Sequence, residues 1–421
     1  MKKILELKLK ILAKLILWRQ KPKVIGISGS VGKTSAKTAI YQVLKNKYRV
    51  SGGIKNYNNE IGLPLSIIGK ESPKKNVLAW ILLFFKAFCL ILFKSKKYPQ
   101  ILILEMGVDR PGDMKYLCNI SQPTIAVITA VGHSHIQYFG SKQKIKEEKQ
   151  NLVKSLPANG LAILNCDDDL VCQMSDVARC KVLKYGFLEK NDLIAQDLKY
   201  NLEMGNYEIS GLSFKFNHNG SIVPVVMDNV ICKTAVYSAL VAAAVGLYFD
   251  INLVDIAASL KSFSLPAGRM NVIAGKNHSF IIDDSYNSSP ESANLALELF
   301  SKIRVENDAK KYLVIGDILE IGSYTEDVHR ELGKKIAKMD IDFLLCVGRS
   351  SKYIAKEAES KGLGKKKIFL FDKPEEAGLF LEENISAGDI ILFKASRGIK
   401  MERAIKKIML EEDKSTELLV S

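Results

Sequence analysis

The eight residues SGSVGKTS, from Ser28 to Ser35, constrain the fold of this chain more than any other segment. They follow the apolar run VIGIS, which is typical of a buried parallel strand, and they precede a segment with helical periodicity. A glycine-rich turn between a strand and a helix binds phosphate, because its backbone N–H groups and the positive end of the helix dipole point at the anion. The sequence therefore predicts an α/β fold with a parallel sheet and a phosphate site at one edge of that sheet.

This loop offers both a cation and a metal ligand for ATP. Lys33 is predicted to reach the β- and γ-phosphates, and the hydroxyl of Thr34 is predicted to bind Mg²⁺. The common pattern G-x-x-x-x-G-K-[ST] would place glycine at position 27, where this chain has Ile27, and Gly29 supplies the flexibility instead. A glycine-rich loop without a function is the alternative, which the strand–loop–helix context disfavours. The predicted nucleotide-binding residues of the loop are Gly29, Ser30, Gly32, Lys33, Thr34 and Ser35.

Two further side chains are predicted to bind metal at the same sheet edge. Glu105 lies at the end of the apolar run ILILEM, and His135 follows the run IAVIT. The carboxyl ends of parallel strands meet at one edge of a sheet, so we expect a site for two Mg²⁺ ions. Thr34 and Glu105 would bind one ion and His135 the other. Glu105 or His135 taken alone would fit a structural role, and His133 is an alternative to His135 as a ligand.

Strand-like and helical segments alternate along most of the chain and predict two α/β units. The alternation is interrupted by predicted antiparallel hairpins at 192–228 and a predicted alanine-rich helix at 234–247, and it restarts beyond Pro266. The predicted organisation is a basic amphipathic segment at 1–22, a central P-loop ATPase-like parallel-sheet domain at 23–265 with an apolar insertion at 77–93, and a Rossmann-like C-terminal α/β domain at 266–421.

The composition favours an anionic partner in a reducing compartment. Lys and Arg number 61 against 46 Asp and Glu, giving a net charge of +15, which favours nucleotides, nucleic acid or an anionic membrane surface. The sequence has no motif of basic and aromatic residues typical of nucleic-acid binding, so we do not expect a nucleic-acid partner. The seven cysteines form no C-x-x-C pair, which argues against a disulfide scaffold and a zinc ribbon and fits the cytosol.

Two apolar segments carry lysines that argue against simple membrane insertion. The first 22 residues place Leu and Ile on one helical face, with Lys8 intruding on it, and this pattern fits either an interfacial anchor or a helix packed on its own domain. The segment 77–93 is about as short as a spanning helix can be, and Lys86 lies in its middle. We expect an interfacial helix there, and a buried core helix is the alternative.

The motifs, taken in chain order, resemble those of the Mur ligases, the ATP-dependent ligases of cell-wall precursor synthesis. The resemblance covers about residues 24–407 and is closest to the members that add D-alanyl-D-alanine to a UDP-N-acetylmuramoyl-tripeptide. In this family the phosphate loop lacks the outer glycine, which accounts for Ile27. The motifs that carry the resemblance are SGSVGKTS, NYNNEIGLPLSIIG, ILEMGVDRPGD, AVGHSHIQYFGS, DDSYNSSPES, GDILEIG with a later HRELG, and KASRGIKMER.

The resemblance implies a set of catalytic residues, Lys33, His135 and Lys149. Lys149, in KEEKQNL, matches a lysine that Mur ligases carbamylate with CO₂. A carbamate converts the cation into an anionic oxygen ligand for the second Mg²⁺. Spacing alone favours a solvated lysine on a basic helix, and the usual K-G-E reads Lys149-Gln150-Asn151 here.

The resemblance also implies residues for nucleotide and substrate binding. Asp284 and Asn287 resemble residues that contact ribose and adenine, and Arg269 resembles an arginine near the nucleotide phosphates at the hinge. Apart from the resemblance, each matched position is an ordinary exposed polar residue. The residues that resemble the binding segment for the carboxylate of the amine substrate are Lys394, Ser396 and Arg397, and those that resemble the patch facing the UDP-sugar peptide are Asn56, Asn58 and Asn59.

Two features depart from the family pattern. Family members have an N-terminal domain for the uridine nucleotide, and about two dozen residues precede the first predicted strand here, so we expect that domain to be truncated. The alanine-rich helix reads CKTAVYSALVAAAVG where the family shows a His-Asn pair. Because of the first departure, the sequence does not identify the group at the UDP end of the peptide substrate. The second departure concerns the contact of the central domain with the bound ATP.

The combined prediction is an ATP-dependent amide ligase that joins a muropeptide carboxylate to D-alanyl-D-alanine. We expect it in the cytoplasm, with peripheral attachment to the inner face of the membrane as a further expectation. One alternative is a membrane-associated Mur-type ligase with a lipid-linked or unusual acceptor. A nucleotide-binding scaffold without activity is another, and the retention of Lys33, Thr34, Glu105 and His135 argues against it.

Overall fold

Two β-sheets organise the chain in a computed structural model that describes residues 2–53, 57–133, 136–200, 211–228, 230–305 and 308–420. The first sheet has nine strands in these residues and the second has six. The elements of the first unit are α1 (Lys2–Gln20), β1 (Lys23–Ser28), α2 (Lys33–Leu44), β2 (Val50–Ser51), α3 (Gly62–Ile68), α4 (Val77–Leu92), β3 (Ile101–Glu105), α5 (Asp113–Ile120), β4 (Ile125–Ile128), α6 (Ile136–Phe139), α7 (Lys142–Lys154), β5 (Leu161–Asn165), α8 (Asp169–Cys172), β6 (Lys181–Gly186), β7 (Leu193–Tyr200), β8 (Leu212–His218), β9 (Ser221–Met227), α9 (Lys233–Tyr248) and α10 (Leu253–Leu260).

The second unit alternates strands and helices more regularly. Its elements are β10 (Asn271–Ala274), β11 (Phe280–Asp284), α11 (Pro290–Lys302), β12 (Lys311–Gly316), α12 (Thr325–Ile336), β13 (Phe343–Val347), α13 (Ser351–Ser360), β14 (Ile368–Phe371), α14 (Pro374–Asn384), β15 (Ile390–Lys394), α15 (Glu402–Ile408) and α16 (Ser415–Leu418).

Strand β1 lies inside the first sheet, whose order is β2-β3-β1-β4-β5-β6-β7-β8-β9. It pairs in parallel with β3 on one side and β4 on the other. All residues of β3, β4 and β5 are buried, which explains why these strands read as continuous apolar runs. The loops after β1, β3 and β4 therefore meet at one sheet edge, at the point where the strand order reverses.

The predicted α/β class is confirmed, and the sheets are mixed. Strands β7, β8 and β9 form antiparallel hairpins, as the alternating sequence at 192–228 predicts, and they extend the same sheet. The second sheet has the order β10-β11-β15-β12-β13-β14, in which β10 runs antiparallel to β11 and the other pairs are parallel. The domain boundaries at 22 and 265 remain predictions.

One disulfide, between Cys166 and Cys172, joins the end of β5 to α8. The other five cysteines are free, and all of them are buried or partly buried. A single local bridge of this kind is not a disulfide scaffold, so the prediction that no such scaffold supports the fold is compatible with it.

Helices α1 and α4 pack against each other on one face of the first sheet. The side chain of Gln20 donates to the carbonyls of Leu90 and Phe93 and accepts from the backbone N–H of Ser95. The inner residues of both helices are buried in one apolar cluster: Leu9, Ala13, Ile16, Leu83 and Ala87. The alternative that α4 is a fully buried core helix is therefore wrong, because only two of its residues are buried. No helix among the described residues is long and apolar enough to cross a bilayer.

The orientation of α4 predicts opposite outcomes for two adjacent leucines. Leu83 is 1% exposed and Leu82 is 56% exposed. We expect Leu83→Ala to lower the free energy of unfolding by about 2–5 kcal/mol, because it leaves a cavity under the helix. The matched control Leu82→Ala should change it by less than about 0.5 kcal/mol. Urea-unfolding midpoints of the two variants measure the difference, and equal midpoints would show that α4 is oriented otherwise.

Candidate active site

The phosphate loop connects β1 to α2, and hydrogen bonds to the loop that follows β4 fix its conformation. The N–H of Ser30 donates to the carbonyl of Ala130 (2.8 Å), and the hydroxyl of Ser30 accepts from the N–H of Gly132 (2.8 Å). The hydroxyl of Thr129 donates to the carbonyl of Val31 (2.5 Å). These bonds fix the loop so that the N-terminus of α2 faces the space beyond the sheet edge, where an anion binds most favourably.

Glycine is required at two positions of this loop. Gly29 has φ 150°, and a Cβ atom there would lie 1.9 Å from Oγ1 of Thr129. Gly32 has φ 85°, in the left-handed region, and immediately precedes α2. Glycine is thus required at position 29 because the backbone there lies close to Thr129, in the loop that follows β4.

The cation and the carboxylate predicted to serve ATP and metal lie together at this edge. Lys33 is partly buried, and its ammonium donates to the carbonyl of Gly29 (2.5 Å), while desolvation lowers the pKa of Lys33 from its usual value. The hydroxyl of Thr34 donates to Oε2 of Glu105 (3.3 Å). Lys37 forms an ion pair with the other oxygen of Glu105 (2.8 Å), a contact that the sequence analysis missed. Glu105 is therefore buried but compensated by a cation.

Oxygen ligands at this edge fit the preference of Mg²⁺, which binds hydroxyl and carboxylate oxygen. Thr34 and Glu105 supply one of each, and they already contact each other. The predicted metal ligand His135 lies outside the described residues. Within the residues that are described, no group of three or more His, Cys, Asp or Glu side chains is arranged to hold a metal ion.

Lys149 is buried on α7, so the interpretation of it as a solvated lysine is wrong. The side chain is 4% exposed, and burial, with the nearby charge of Lys33 as the next contribution, lowers its pKa to about 7. Near neutral pH a large fraction of this amine is therefore uncharged. An uncharged amine is the form that adds to CO₂, and the carbamate on Lys149 remains a prediction.

A cleft between the two units brings most of the predicted residues together. Its floor is the phosphate loop with Glu105, and its opposite wall comes from the loops after β11 and β15 in the second unit. Arg269, in the connection between the units, lines this cleft and an adjoining apolar pocket. The predicted residues that line the cleft are Ser30, Gly32, Lys33, Thr34, Asn58, Glu105, Arg269, Asn287, Ser396 and Arg397.

The adjoining pocket has the character of a site for a nucleoside. Gly32, Ser35 and Asp284 line it together with apolar side chains of α11, Leu295 and Leu299. An apolar slot with a carboxylate at one end fits a flat base and a ribose hydroxyl. The sequence analysis missed the two leucines, because an apolar residue on an amphipathic helix gives no signal that it faces a ligand.

Three predicted binding residues turn out to be buried rather than exposed. Asp284 and Lys394 form an ion pair (3.0 Å) across β11 and β15, and the ammonium of Lys394 also donates to the carbonyl of Asn287 (2.5 Å). The hydroxyl of Ser396 accepts from the N–H of Leu319 (2.9 Å). The expectation of ordinary exposed polar residues is wrong for Asp284, Lys394 and Ser396, and it holds for Asn287.

Arg397 and Arg269 present guanidinium groups near the cleft. Nη1 of Arg397 pairs with Glu402 (2.8 Å), and its backbone N–H donates to the side-chain oxygen of Asn287 (3.3 Å). The guanidinium of Arg269 lies 4.2 Å from the ring centroid of Tyr286, which orients it by a cation–π contact. Guanidinium groups suit carboxylate and phosphate oxygens.

Of the three asparagines predicted to face the UDP-sugar peptide, one lines the cleft. Asn58 lines it and accepts a hydrogen bond from the N–H of Gly107 through its backbone carbonyl (3.0 Å). The side chain of Asn59 accepts instead from the N–H groups of Ile61 and Gly62 at the start of α3. Asn56 lies outside the described residues. Asp109, which lines the cleft beside Glu105, was missed, although its place just after β3 gave the same signal as Glu105.

The two units also meet outside the cleft, through Glu291 at the start of α11. Its Oε1 accepts from the backbone N–H of His133 (2.9 Å) and contacts Nδ1 of the same residue. Hydrogen bonds and ionic attraction of this carboxylate lower its pKa, although burial opposes them. His133 thus joins the loop after β4 to the second unit. This contact differs from the metal binding considered for His133 as the alternative to His135.

Comparison with known proteins identifies the family. Residues 27–80 and 88–246 match the Mur ligase middle domain, and residues 268–397 match the Mur ligase, glutamate ligase domain. The UDP-N-acetylmuramoyl-tripeptide--D-alanyl-D-alanine ligase of Bacillus subtilis (strain 168) is 32% identical over 398 residues, which are 94% of this chain and 78% of that protein.

Solved structures give the same assignment. The crystal structure of MurF ligase from Thermotoga maritima in complex with ADP matches with a TM-score of 0.78 and 28% identity, covering 98% of this chain and 84% of that one. Crystal structure I of MurF from Acinetobacter baumannii has the same fold, with a TM-score of 0.78 at 23% identity over 95% of this chain and 79% of that one. The resemblance in the motifs is thus confirmed, and the chain belongs to the Mur ligase family.

Proposed function

We propose that this chain is an ATP-dependent ligase that joins D-alanyl-D-alanine to a UDP-N-acetylmuramoyl-tripeptide. The relative from Bacillus subtilis carries that activity in its name, and 94% of this chain aligns with it. The observation that carries the proposal is the cleft, in which the phosphate loop faces Ser396 and Arg397 of the second unit. ATP and the peptide carboxylate can meet there, within the cleft that Lys33, Arg269 and Arg397 line.

The reaction proceeds in two transfers. A carboxylate oxygen of the peptide attacks the γ-phosphorus of ATP, the bond to the β,γ-bridging oxygen breaks, and ADP leaves. The amine of D-alanyl-D-alanine then attacks the carbonyl carbon of the acyl phosphate. The tetrahedral intermediate expels inorganic phosphate and the nitrogen loses a proton, which leaves an amide.

The residues of the cleft stabilise charge during both transfers. Lys33 and the N–H groups at the start of α2 neutralise the transferring phosphoryl group, and this type of preorganised stabilisation is usually the largest contribution to such catalysis. Arg269 is held beside the phosphates by its contact with Tyr286. Asp284 and Asn287 are proposed to bind the ribose and adenine, with Lys394 fixing Asp284 in place.

The substrate residues lie on both sides of the cleft. We assign Ser396 and Arg397 to the carboxylate of the incoming amine substrate, because Arg397 retains donors beyond those that face Glu402. Lys394 precedes that segment and fixes the adjacent loop by donating to the carbonyl of Asn287. Asn58 is the described member of the patch proposed to face the UDP-sugar peptide, with Asn56 and Asn59 as its neighbours in sequence.

Mg²⁺ would be held by Thr34, Glu105, His135 and a carbamate on Lys149. Bound there, up to two ions would supply positive charge to the phosphate oxygens. The pKa of Lys149 near 7 supports the carbamate, because the uncharged amine can attack CO₂ at neutral pH. Lys37 pairs with Oε1 of Glu105, and Oε2 of the same carboxylate contacts the hydroxyl of Thr34, the other proposed ligand.

We place this reaction in the cytoplasm, because ATP and UDP-activated precursors are its reactants. A lipid-linked acceptor is the second candidate, and the observation that favours it is the exposed apolar surface of α1 and α4. Comparing acceptors distinguishes the two, since the proposal requires turnover with the soluble UDP-linked tripeptide.

Removal of the Lys33 charge tests the phosphate site. We expect Lys33→Ala to lower amide formation by about 10²-fold or more, because the transferring phosphoryl group loses its main protein cation. Phosphate release and product formation with both substrates measure the effect. Lys45→Ala, at the exposed far end of α2, is the matched control and should retain activity. Near-normal turnover by Lys33→Ala would contradict the assignment of the site.

Removal of Lys149 tests the carbamate. Lys149→Ala should lose most activity and regain part of it when short carboxylates such as acetate are added, because these anions can occupy the vacated position. Lys144→Ala, an exposed lysine on the same helix, should retain activity and show no response to acetate. Full activity of Lys149→Ala without added acid would show that no carbamate is needed.

A further inference from the structure

Helices α1 and α4 together expose an apolar surface that we call the two-helix face. It contains 13 of the 25 large apolar side chains that are exposed among the described residues. Patches larger than a few hundred Å² are rare on soluble monomers, and they mark sites that bind another surface. The residues of the two-helix face are Ile4, Leu7, Ile11, Leu15 and Trp18 on α1, and Val77, Leu78, Ile81, Leu82, Phe85, Phe88, Leu92 and Phe93 on or just after α4.

The exposed apolar residues are not needed to hold the helices on the sheet. The opposite sides of both helices already supply the buried contacts, through Leu9, Ala13 and Ile16 on α1 and Leu83 and Ala87 on α4. Each helix therefore has two apolar stripes at helical spacing, one turned inward and one turned to solvent. Packing on the sheet therefore does not explain why the outward stripe of each helix is apolar.

The charged residue within α4 does not interrupt this face. The ammonium of Lys86 turns away from it and donates to the carbonyl of Gly69 (2.8 Å), and burial lowers the pKa of Lys86. A lysine in the middle of a helix disfavours a helix that spans a bilayer and is surrounded by lipid. Lys86 does not oppose contact of the outer side of α4 with a bilayer, because its ammonium lies on the protein side of the helix.

Basic residues surround the two-helix face. Acidic residues are scarce in the two segments, with Glu6 alone in 2–23 and Glu71 alone in 70–100. This charge complements an anionic surface, and it opposes the close approach of a second copy of the same face. The exposed lysines near the ends and flanks of the two helices include Lys3, Lys8, Lys14, Lys21, Lys74, Lys75, Lys94, Lys96 and Lys97.

The geometry allows contact with a bilayer but not passage through it. Helix α4 has 16 residues and is about 24 Å long, shorter than the ~30 Å hydrocarbon core, and its inner side is held by the protein. Aromatic side chains on the outer side, Trp18, Phe85, Phe88 and Phe93, suit the boundary between headgroups and acyl chains.

We propose that the two-helix face docks the enzyme on an anionic lipid bilayer, with α1 and α4 lying in the plane of the interface. The apolar stripe enters the headgroup boundary, and the surrounding lysines attract the lipid phosphates. The catalytic cleft is formed by other elements, the loops after β1, β3, β11 and β15, so docking is independent of the ligase chemistry.

Vesicle co-sedimentation tests this proposal. The intact protein should sediment with phosphatidylglycerol vesicles at low salt, release at high salt, and bind phosphatidylcholine vesicles weakly. Replacing Ile81, Leu82, Phe85 and Phe88 together by serine should weaken binding about tenfold or more. Replacing Lys94, Lys96 and Lys97 by glutamine should weaken it about fivefold per lysine.

A matched variant controls for general loss of apolar surface. It replaces four exposed apolar residues of other regions by serine, Leu188, Ile222, Leu370 and Leu379, and should bind vesicles as the intact protein does. Both serine variants should keep the melting temperature and the activity on soluble substrates. The proposal is overturned if the intact protein stays in the supernatant with anionic vesicles at low salt, or if the α4 variant binds undiminished. It is overturned equally if sedimentation equilibrium shows a dimer that the α4 substitutions dissociate and that does not bind vesicles.

Discussion

The parallel pairing of β1 with both β3 and β4 is the constraint on which the active site depends. This pairing brings the phosphate loop, Glu105 and Thr129 to one edge of the sheet. The close approach of Gly29 to Thr129 leaves no room for a side chain at position 29. Lys33 is consequently partly buried close to the buried carboxylate of Glu105, where charges interact more strongly than in water.

The second unit supplies the opposite wall of the site. Its β11 and β15 are neighbours, so the ion pair of Asp284 with Lys394 links two strands that are far apart in sequence. The loop positions of Asn287 and Arg397 depend on this link through hydrogen bonds. Glu291 and His133 connect the two units outside the cleft.

Much of this architecture could be predicted from the sequence because local patterns determine it. The parallel strands are short apolar runs, and LAILN matches β5 residue for residue. The motif residues could also be placed at one sheet edge by topology alone. Pairing between distant segments gave no local signal, so the contacts of Lys37 with Glu105, Glu291 with His133, and Lys394 with Asp284 were missed. The burial of Lys149 was missed for the same reason, since its helix is rich in lysine and its sequence is typical of an exposed helix.

The central claim is that a peptide carboxylate is activated by phosphoryl transfer within the cleft. Ligation with a UDP-N-acetylmuramoyl-tripeptide labelled with ¹⁸O in its terminal carboxylate tests this most directly. The account predicts that each amide formed releases one inorganic phosphate that carries one ¹⁸O atom, because the carboxylate oxygen leaves with the phosphoryl group. Unlabelled phosphate, or phosphate release without amide formation in the presence of D-alanyl-D-alanine, would contradict it.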